Sequence, residues 1–305
     1  MSLVALFMGK GPNGFGNGST AEEVTEGLDL SGKTYLLTGC NSGIGLESLR
    51  VLGLRGAHVI AAARTEDKAR AALEQTGTAG TPVACELSEP ASVRAAVEQV
   101  RALRRPLDAI LCNAGIMALP KRELQHGYEA QFFTNHIGHF ILVTGLLDQL
   151  TSDGRVVMVS SSAHRTAPAQ GIEFDNLDAS KSYGAFRNYG QAKLANLLFA
   201  RQLARRFQGS GRTAFAVHPG VIPTNLARHM NPVAAVGMAV VAPLFMKSAA
   251  QGAATQIYVA TGSVDPSQSG SYFADCNPAR PARQGQDDAL AEKLWQVSEQ
   301  IAASV

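Results

Sequence analysis

The sequence has few of the features that secreted, metal-binding or nucleic-acid-binding proteins need. Its 305 residues contain four cysteines that lie far apart and form no Cys-x-x-Cys pair or zinc-spaced cluster: Cys40, Cys85, Cys112 and Cys276. We therefore predict a reducing compartment and no bound metal. The formal net charge of +2 is small for this length and argues against a nucleic-acid or anionic-membrane partner. A small neutral or singly charged ligand is the better hypothesis.

Long apolar runs are also absent. Residues 3–8 are apolar, but the run is too short for a signal peptide and no basic residue precedes it. Residues 233–246 include Pro243 and fall short of the roughly 20 residues of a membrane span, so we expect a buried or substrate-facing segment there. These features predict a soluble cytoplasmic protein without a transmembrane segment.

The glycine-rich stretch from Gly11 to Gly18 predicts a flexible N-terminal leader, residues 1–30, outside the core fold. The alternative is that residues 19–23, Ser-Thr-Ala-Glu-Glu, cap a short helix that begins near Ala21. No linker interrupts the pattern after residue 30, so residues 31–305 are predicted to form one domain.

From Lys33 onward, short β-rich runs alternate with helical spacing, which predicts an α/β fold with helices on both faces of a parallel sheet. The predicted helices include residues 91–103, 126–150 and 189–207. The runs predict a doubly wound sheet of seven strands, namely residues 34–37, 57–62, 82–85, 107–111, 155–159, 213–217 and 271–273.

The first predicted strand leads into a glycine loop, and a helix follows it. The loop and helix start contain the residues that would face a dinucleotide: Gly39, Asn41, Ser42, Gly43, Ile44 and Gly45. Glycines let the backbone approach a pyrophosphate, and the amides and dipole of the following helix stabilise its charge. The alternative is a tight turn without a ligand, but the order strand, loop, helix favours a cofactor site.

The end of the second predicted strand indicates which dinucleotide binds. NAD-preferring folds place an acidic residue there, whereas this chain has Ala63, Arg64 and then Lys68. A carboxylate would repel a 2′-phosphate, and Arg64 can pair with one through two hydrogen bonds. The sequence therefore predicts NADP(H), with a solvated surface arginine as the alternative.

Tyr189 and Lys193 form the only Tyr-x-x-x-Lys pair in the sequence. Four residues apart at a predicted helix start, they share one face. A nearby ammonium favours the phenolate, so Lys193 is expected to draw the tyrosine pKa towards neutrality. The pair predicts a proton-transfer site, and an ordinary helix-face pair is the alternative.

Polar residues that precede this pair strengthen the prediction. Ser160, Ser161 and Ser162 follow a buried strand at the edge where open α/β sheets bind ligands, although serines there are also common turn residues. Asn135 lies inside a helical stretch that it fits poorly, and a water relay to Lys193 would give its amide a partner. His136 and His139 lack a third metal ligand at suitable spacing, so packing is favoured over metal binding.

These residues resemble the short-chain dehydrogenase/reductase family from Lys33 onward. "TGCNSGIG" (38–45) resembles the family's cofactor loop, "CNAG" (112–115) its sheet-stabilising motif and "YGQAKLAN" (189–196) its active-site motif. "NHIGHF" and "VVMVSSSAH" are similar to the retinol dehydrogenase and WW-domain oxidoreductase branch, and the leader is similar to the chloroplast-envelope Tic32-like branch. The leader leaves a plastid or membrane-peripheral location as the alternative to the cytoplasm.

The resemblance implies a catalytic tetrad. In it Asn135 orders a water, Ser161 polarises the carbonyl, Tyr189 is the acid or base, and Lys193 binds the nicotinamide ribose. It also implies cofactor contacts beyond the glycine loop and Arg64, at Glu86, Leu87, Asn113, Ala114, Gly115, Pro219, Gly220, Val221 and Thr224. Cys112 and Glu86 stand where the family usually has asparagine and aspartate.

The expected activity is NADP(H)-dependent interconversion of a small-molecule carbonyl and alcohol, with reduction favoured. Residues 162–188 resemble the branch's extra loop beside the substrate, and with residues 233–246 they predict an apolar pocket for a lipophilic aldehyde or ketone. The alternative function is a non-catalytic cofactor sensor or scaffold. Four apolar residues of the helix at 189–207 allow two interpretations: Leu194, Leu197, Leu198 and Phe199. They could form the contacts of a homodimer or homotetramer, or they could pack in the core of one chain.

Overall fold

A twisted, mostly parallel sheet runs through the middle of the protein. The computed structural model describes residues 9–222 and 246–305. Its strands are β1 (Thr34–Thr38), β2 (His58–Ala63), β3 (Gly80–Ala84), β4 (Leu107–Cys112), β5 (Leu124–Gln125), β6 (Tyr128–Glu129), β7 (Leu150–Val159), β8 (Thr213–His218), β9 (Tyr272–Ala274) and β10 (Asn277–Ala279). Over the described residues, eight of them form one sheet in the order β10-β9-β8-β7-β4-β1-β2-β3, while β5 and β6 form a separate hairpin.

All pairings in the large sheet are parallel except that of β10 with β9. The α/β prediction is thus confirmed, with eight strands rather than seven. The additional strand is β10, a three-residue edge strand with Pro278 at its centre. Proline removes a ladder donor and is confined to such edges, so the residue pattern predicted no strand there.

Helices cover both faces of the sheet. They are α1 (Gly43–Leu54), α2 (Glu66–Thr76), α3 (Pro90–Ala102), α4 (Ala130–Phe132), α5 (Gly138–Thr144), α6 (Ala185–Arg206), α7 (Ala249–Thr261) and α8 (Asp288–Ser304). Side chains of α3, α5, α6 and α8 enter the hydrophobic core on one face, and those of α1, α2 and α7 enter the core on the other. Within the described ranges, no helix combines the length and the apolar character that crossing a membrane requires.

The helix predicted over residues 126–150 is divided in the structure. The β5–β6 hairpin takes up its start, α4 leads into a π-helical turn at Phe133–Ile137, and α5 is followed by a short 3-10 turn at Leu147–Gln149. Periodicity did not reveal the π turn, because one wider turn shifts the apolar spacing by only one residue. Asn135 lies at the centre of this turn.

The N-terminal segment, predicted to lie outside the core, is packed from Gly9 onward. Ala21, Val24 and Leu30 are buried in the core beneath α1 and α7. Thr20 and Glu23 exchange backbone and side-chain hydrogen bonds of 2.9 and 3.2 Å, which close the turn that leads into a 3-10 helix at Glu23–Thr25. The flexible-leader prediction is therefore wrong for these residues, and the capped-helix alternative describes them, because three apolar side chains gain burial there.

The apolar residues of α6 that fitted either dimer or core contacts are buried within one chain. Leu194, Leu197, Leu198 and Phe199 lie in the same core as Leu294 and Trp295 of α8. The Trp295 ring lies 5.6 Å from the Phe199 ring and 5.1 Å from that of Phe140. The core-packing interpretation therefore accounts for these side chains.

Candidate active site

The loop between β1 and α1 packs closely against its own backbone and against Ala114. Gly39 has φ of +68°, and a Cβ on it would lie 2.9 Å from the Ala114 Cα. A Cβ on Gly45 would lie 1.9 Å from the Gly39 carbonyl oxygen. The α1 N-cap, Ser42, makes no side-chain capping hydrogen bond, and Asn41, Ser42 and Gly43 are exposed. Uncapped amides at the start of a 12-residue helix fit a dinucleotide pyrophosphate.

Arg64 directly follows β2, and Lys68 lies in the first turn of α2. Both side chains are exposed. The nearby acid Glu66 is paired with Arg70, and Thr65 caps the helix by accepting the Lys68 amide. The two cations thus flank the carboxyl end of β2, where the adenosine ribose of a dinucleotide lies in this type of sheet.

The residues after β3 contribute to the site in different ways. The Glu86 carboxylate accepts the amide and hydroxyl of Ser88 at 3.3 and 3.0 Å, which fixes the turn that leads to α3. The Leu87 side chain is buried in the core, and a Cβ on Gly138 would lie 2.2 Å from the Leu87 carbonyl oxygen. Leu87 therefore offers only its backbone to a ligand.

Asn113 and Ala114 join the end of β4 to the end of β1. Both amides donate to the Thr38 hydroxyl at 3.0 Å, and the Asn113 side-chain amide donates to the Thr38 carbonyl at 2.9 Å. These bonds hold the glycine loop against residues 113–115. We call residues 38–45 together with 113–115 the cofactor cradle.

Asn135 lies on the opposite side of residues 113–115 from the glycine loop. Its side chain accepts the Ile116 amide at 2.8 Å and donates to the Ile116 carbonyl at 2.9 Å. Both polar atoms of its side chain thus have protein partners. A Cβ on Gly115 would lie 2.9 Å from Asn135 Oδ1 and 3.4 Å from Lys193 Nζ, so these two side chains converge on Gly115.

The two histidines beside Asn135 are buried and hydrogen-bonded. His139 Nδ1 lies 2.9 Å from the Asn135 carbonyl oxygen, and Nε2 lies 2.9 Å from the Thr38 hydroxyl. His136 Nε2 lies 2.8 Å from the Ser298 hydroxyl of α8. Burial lowers the pKa of His139 to about 4 and that of His136 to about 3, so both rings are neutral. This arrangement agrees with the packing interpretation.

The three serines after β7 differ in what their hydroxyls contact. Ser160 is buried and donates to the Lys193 backbone carbonyl at 2.7 Å, and Ser162 is exposed. Ser161 accepts the Ala163 amide at 3.1 Å, and its hydroxyl is near enough to Tyr189 to oppose the rise of the tyrosine pKa. Ser161 is therefore the serine of the three whose hydroxyl faces the predicted proton-transfer group.

Tyr189 and Lys193 lie in the second and third turns of α6, which begins at Ala185. Both are buried, and Lys193 Nζ lies 5.6 Å from the centre of the Tyr189 ring. Burial raises the Tyr189 pKa to about 12, and the hydrogen bond with Ser161 opposes that shift. Lys193 was predicted to lower this pKa, but desolvation is the larger effect. Burial lowers the Lys193 pKa to about 8.

The segment after β8 completes the site. Gly220 has φ of +94°, and a Cβ there would lie 2.5 Å from Lys247 Cδ. The Lys247 amide donates to the Val221 carbonyl at 2.8 Å, and Lys247 Nζ lies 2.5 Å from the Asp275 carboxylate. Pro219, Gly220 and Val221 are thereby fixed beside the carboxyl end of β8. Thr224 and residues 233–245 lie outside the described residues.

Two side chains of this region had no role in the sequence analysis. Thr38 binds both Asn113 and His139, and its position immediately before the glycine loop was the available signal. Asn196 is buried and donates to the Val159 carbonyl at 3.1 Å. Asn135 was predicted to be functional because asparagine fits poorly inside a helix. The same reasoning would have indicated Asn196.

Comparison with known proteins identifies the family. A family model described as short chain dehydrogenase matches residues 33–235. Short-chain dehydrogenase TIC 32 A, chloroplastic, of Brassica napus is 41% identical over 323 aligned residues, which cover 100% of each chain. Retinol dehydrogenase 12 of Mus musculus is 37% identical over 281 residues, which cover 90% of this chain and 87% of that protein.

Solved structures show the same fold. The crystal structure of an uncharacterized protein from Mycobacterium Paratuberculosis aligns with a TM-score of 0.76 at 32% identity, covering 94% of this chain and 98% of the other. A short-chain type dehydrogenase/reductase from Mycobacterium marinum aligns with a TM-score of 0.63 at 23% identity, covering 82% and 96%. The chain therefore belongs to the short-chain dehydrogenase family, whose members are oxidoreductases that bind a nicotinamide cofactor and act on small molecules.

Proposed function

We propose that this protein is an NADP(H)-dependent oxidoreductase that interconverts a lipophilic aldehyde or ketone and the corresponding alcohol. The observation that carries the proposal is the meeting of four side chains beside the cofactor cradle. Ser161 is near enough to Tyr189 to oppose the rise of its pKa, Lys193 Nζ lies 5.6 Å from the centre of the Tyr189 ring, and both Lys193 and Asn135 approach Gly115. We call Asn135, Ser161, Tyr189 and Lys193 the proton-transfer cluster.

The chemistry assigned to these side chains is the movement of one proton. A bound nicotinamide cofactor would supply or take up the hydride, held by the cradle and by the Lys193 ammonium. Ser161 donates a hydrogen bond to the substrate oxygen, where negative charge develops during reduction. Tyr189 gives its hydroxyl proton to the same oxygen. A phenol with its pKa raised to about 12 keeps that proton at neutral pH, which favours the reductive direction.

The phosphate-bearing cofactor is proposed from charge. Arg64 and Lys68 are both exposed at the end of β2, and the nearby Glu66 is paired with Arg70. A 2′-phosphate would therefore meet two cations at this point, and the Asp67 carboxylate in the first turn of α2 is the opposing charge nearby. Arg64 has the planar donor geometry that binds phosphate through two hydrogen bonds.

The lipophilic substrate class is proposed from the rim of the site. Phe186 lies one turn before Tyr189 on α6, on the same face, and 55% of its surface is exposed. Val221, after β8, is 52% exposed. Residues 116–119 form a further apolar wall, which Tyr183 secures by donating to the Leu119 carbonyl at 2.5 Å. Exposed apolar groups around a polar centre are typical of sites for apolar ligands.

The test is NADPH oxidation by the purified protein with medium-chain, aromatic and short polar carbonyl compounds. We expect turnover of the medium-chain and aromatic compounds. In Tyr189→Phe this turnover should fall by about 10²- to 10⁴-fold, the range for removal of a general acid. Tyr258→Phe is the matched control, because it removes a tyrosine hydroxyl of α7 from a ring that packs against Phe15 and not against the site. Preference for short polar carbonyls would contradict the substrate class. Reduction that survives Tyr189→Phe would contradict the mechanism, and inactivity of the wild type with every compound would favour the scaffold alternative.

A further inference from the structure

The turn between β9 and β10 has a backbone conformation that side chains rarely adopt. Asp275 and Cys276 are its two central residues, and their φ angles are +52° and +62°. Two-residue hairpin turns of this kind favour asparagine or aspartate followed by glycine, whereas a cysteine occupies the second position here. Residues other than glycine keep this conformation only where their surroundings hold them in it. The contacts of the turn therefore indicate its role.

The N-terminal segment supplies several of these contacts. The Asn13 side-chain amide donates to the Cys276 carbonyl at 2.7 Å, and the Asn17 side-chain amide donates to Asp275 Oδ1 at 3.2 Å. In return, the asparagine that begins β10 donates its side-chain amide to the Phe15 carbonyl at 3.0 Å. These partners lie 258 to 263 residues apart in sequence. The segment that was predicted to be a flexible leader thus holds a strained turn at the far end of the chain.

The same carboxylate oxygen connects the turn to the active site. Asp275 Oδ1 also accepts from Lys247 Nζ at 2.5 Å, and the Lys247 side chain is only 5% exposed, so salt screens this pair less than a surface pair. A Cβ on Gly220 would lie 2.5 Å from Lys247 Cδ. The Lys247 amide donates to the Val221 carbonyl at 2.8 Å. Lys247 therefore contacts residues 219–221 with its side-chain stem and with its backbone.

We propose that the N-terminal segment positions the cofactor-contacting residues 219–221 through the Asp275–Lys247 ion pair. The contacts run from the Asn17 amide to Asp275 Oδ1, from there to the Lys247 ammonium, and along the Lys247 stem to Gly220. Asp275 is a positioning residue, because it acts on residues 219–221 through Lys247. The expected effect on NADPH binding rests on the proposed function, whereas the effect on the backbone at Lys247 does not.

The first test is the hydrogen exchange of the Lys247 backbone amide, measured by NMR. This amide reports the contact with Val221 directly and needs no enzymatic activity. Asp275→Asn removes the charge but keeps a residue type that tolerates a positive φ. We expect exchange to become about tenfold faster in Asp275→Asn and about threefold faster in Asn17→Ala, because each change weakens the hold on Lys247 and favours local opening. Exchange at the wild-type rate in Asp275→Asn would overturn the proposal.

Asp265→Asn is the matched control. Asp265 precedes β9, and its carboxylate accepts the Ser267 amide at 2.8 Å, so the same substitution is made in the loop at the opposite end of that strand. Exchange of the Lys247 amide and the affinity for NADPH should both stay at their wild-type values. Equal acceleration of exchange in Asp265→Asn and Asp275→Asn would show that general loosening of β9 is responsible, and the proposal would fail.

The second test is the affinity for NADPH, measured by titration calorimetry. Asp275→Asn should raise Kd about three- to tenfold, and so should Lys247→Met, which keeps most of the stem but not the ammonium. The double variant should lose no more affinity than either single variant, because both changes remove one interaction. Additive losses, or a wild-type Kd in Asp275→Asn despite faster exchange, would contradict the link to residues 219–221. If the wild type binds no NADPH, the proposed function fails, and the Lys247 amide then decides whether the N-terminal segment holds this backbone.

Discussion

The cofactor cradle and the proton-transfer cluster lie side by side, but backbone atoms form the first and side chains form the second. The cradle is formed mainly by backbone atoms. Gly39 and Gly45 allow this close packing because they have no side chains. The cluster is made of polar side chains that the fold has buried, Tyr189 and Lys193 foremost. A backbone site is expected to fail when atoms are added. A side-chain site is expected to fail when atoms are removed or when protonation changes.

His139 joins the two regions. One ring nitrogen contacts the Thr38 hydroxyl, which holds Asn113 and Ala114 in the cradle, and the other contacts the Asn135 carbonyl. The Asn135 carbonyl is an acceptor only, so Nδ1 must carry the proton, and Nε2 must accept from Thr38. The ring is neutral, and its protonation would break the Thr38 contact. This residue therefore links pH sensitivity of the cluster to the geometry of the cradle.

The largest expected effect is that of adding one methyl group to the cradle. In Gly45→Ala the new Cβ would overlap the Gly39 carbonyl oxygen at 1.9 Å, and relief requires a backbone shift. We expect NADPH affinity to fall at least about a hundredfold, or roughly 2.7 kcal/mol. Titration calorimetry with NADPH measures this affinity. Gly9→Ala, where nothing lies within 4 Å of the added Cβ, is the control and should bind normally, and binding within threefold of wild type in Gly45→Ala would contradict the backbone interpretation.

The next effect concerns stability in acid. His136 and His139 have folded pKa values of about 3 and 4, below the unfolded value near 6.5. Between these values the unfolded chain binds more protons than the folded one, so stability is complete above pH 6.5 and falls as the pH drops. Each histidine should contribute about 1.4 kcal/mol per pH unit.

Urea unfolding at a series of pH values measures this slope. In His139→Gln, which keeps hydrogen-bonding capacity but does not titrate, the decline below pH 6.5 should be shallower. His126→Gln, at a partly exposed ring on the β5–β6 turn, should keep the wild-type slope. A stability that does not change between pH 6.5 and 4.5 would show that these rings are not held neutral.

A smaller effect is expected from Arg64, one of the two cations at the end of β2. Arg64→Ala should raise KM for NADPH by roughly ten- to thirtyfold and leave KM for NADH unchanged, because a charge-assisted hydrogen bond contributes about 1.5–3 kcal/mol. Arg105→Ala, which removes an exposed arginine at the opposite end of the strands, just before β4, should leave both values unchanged. Equal changes for the two cofactors in Arg64→Ala would contradict the NADP(H) assignment.

The sequence predicted the sheet and the placement of these two regions because their signals are local. β1, the glycine loop and α1 are contiguous, and Tyr189 and Lys193 are one helical turn apart. Predicted strand ends differ from the observed ones by a few residues, as in β7, which begins at Leu150 rather than Arg155. Burial of the N-terminal segment was missed because Ala21, Val24 and Leu30 gain their contacts from α1 and α7, which lie far away in sequence.

The parts that were not predicted depend on distant pairs of residues. The contact of His139 with Thr38 joins positions 101 residues apart. The Tyr189 pKa was predicted in the wrong direction because pairing on a helix face is visible in sequence, whereas desolvation is a property of the folded surroundings. The same limit applies to Ser298, which lies 162 residues from the histidine that it contacts.

The smallest expected effect tests whether the cradle stays closed around its only thiol. Cys40 follows Gly39, and burial raises its pKa to about 12. Burial also raises the pKa of Cys85 and of Cys276 to about 12, and it raises the pKa of Cys112. Thiolates are the reactive form, so the native protein should consume no thiol reagent, and all four cysteines should react in denaturant. Native labelling at Cys40 alone would mean that the cradle opens locally while the proton-transfer cluster stays packed, and the two regions would then differ in rigidity as well as in composition.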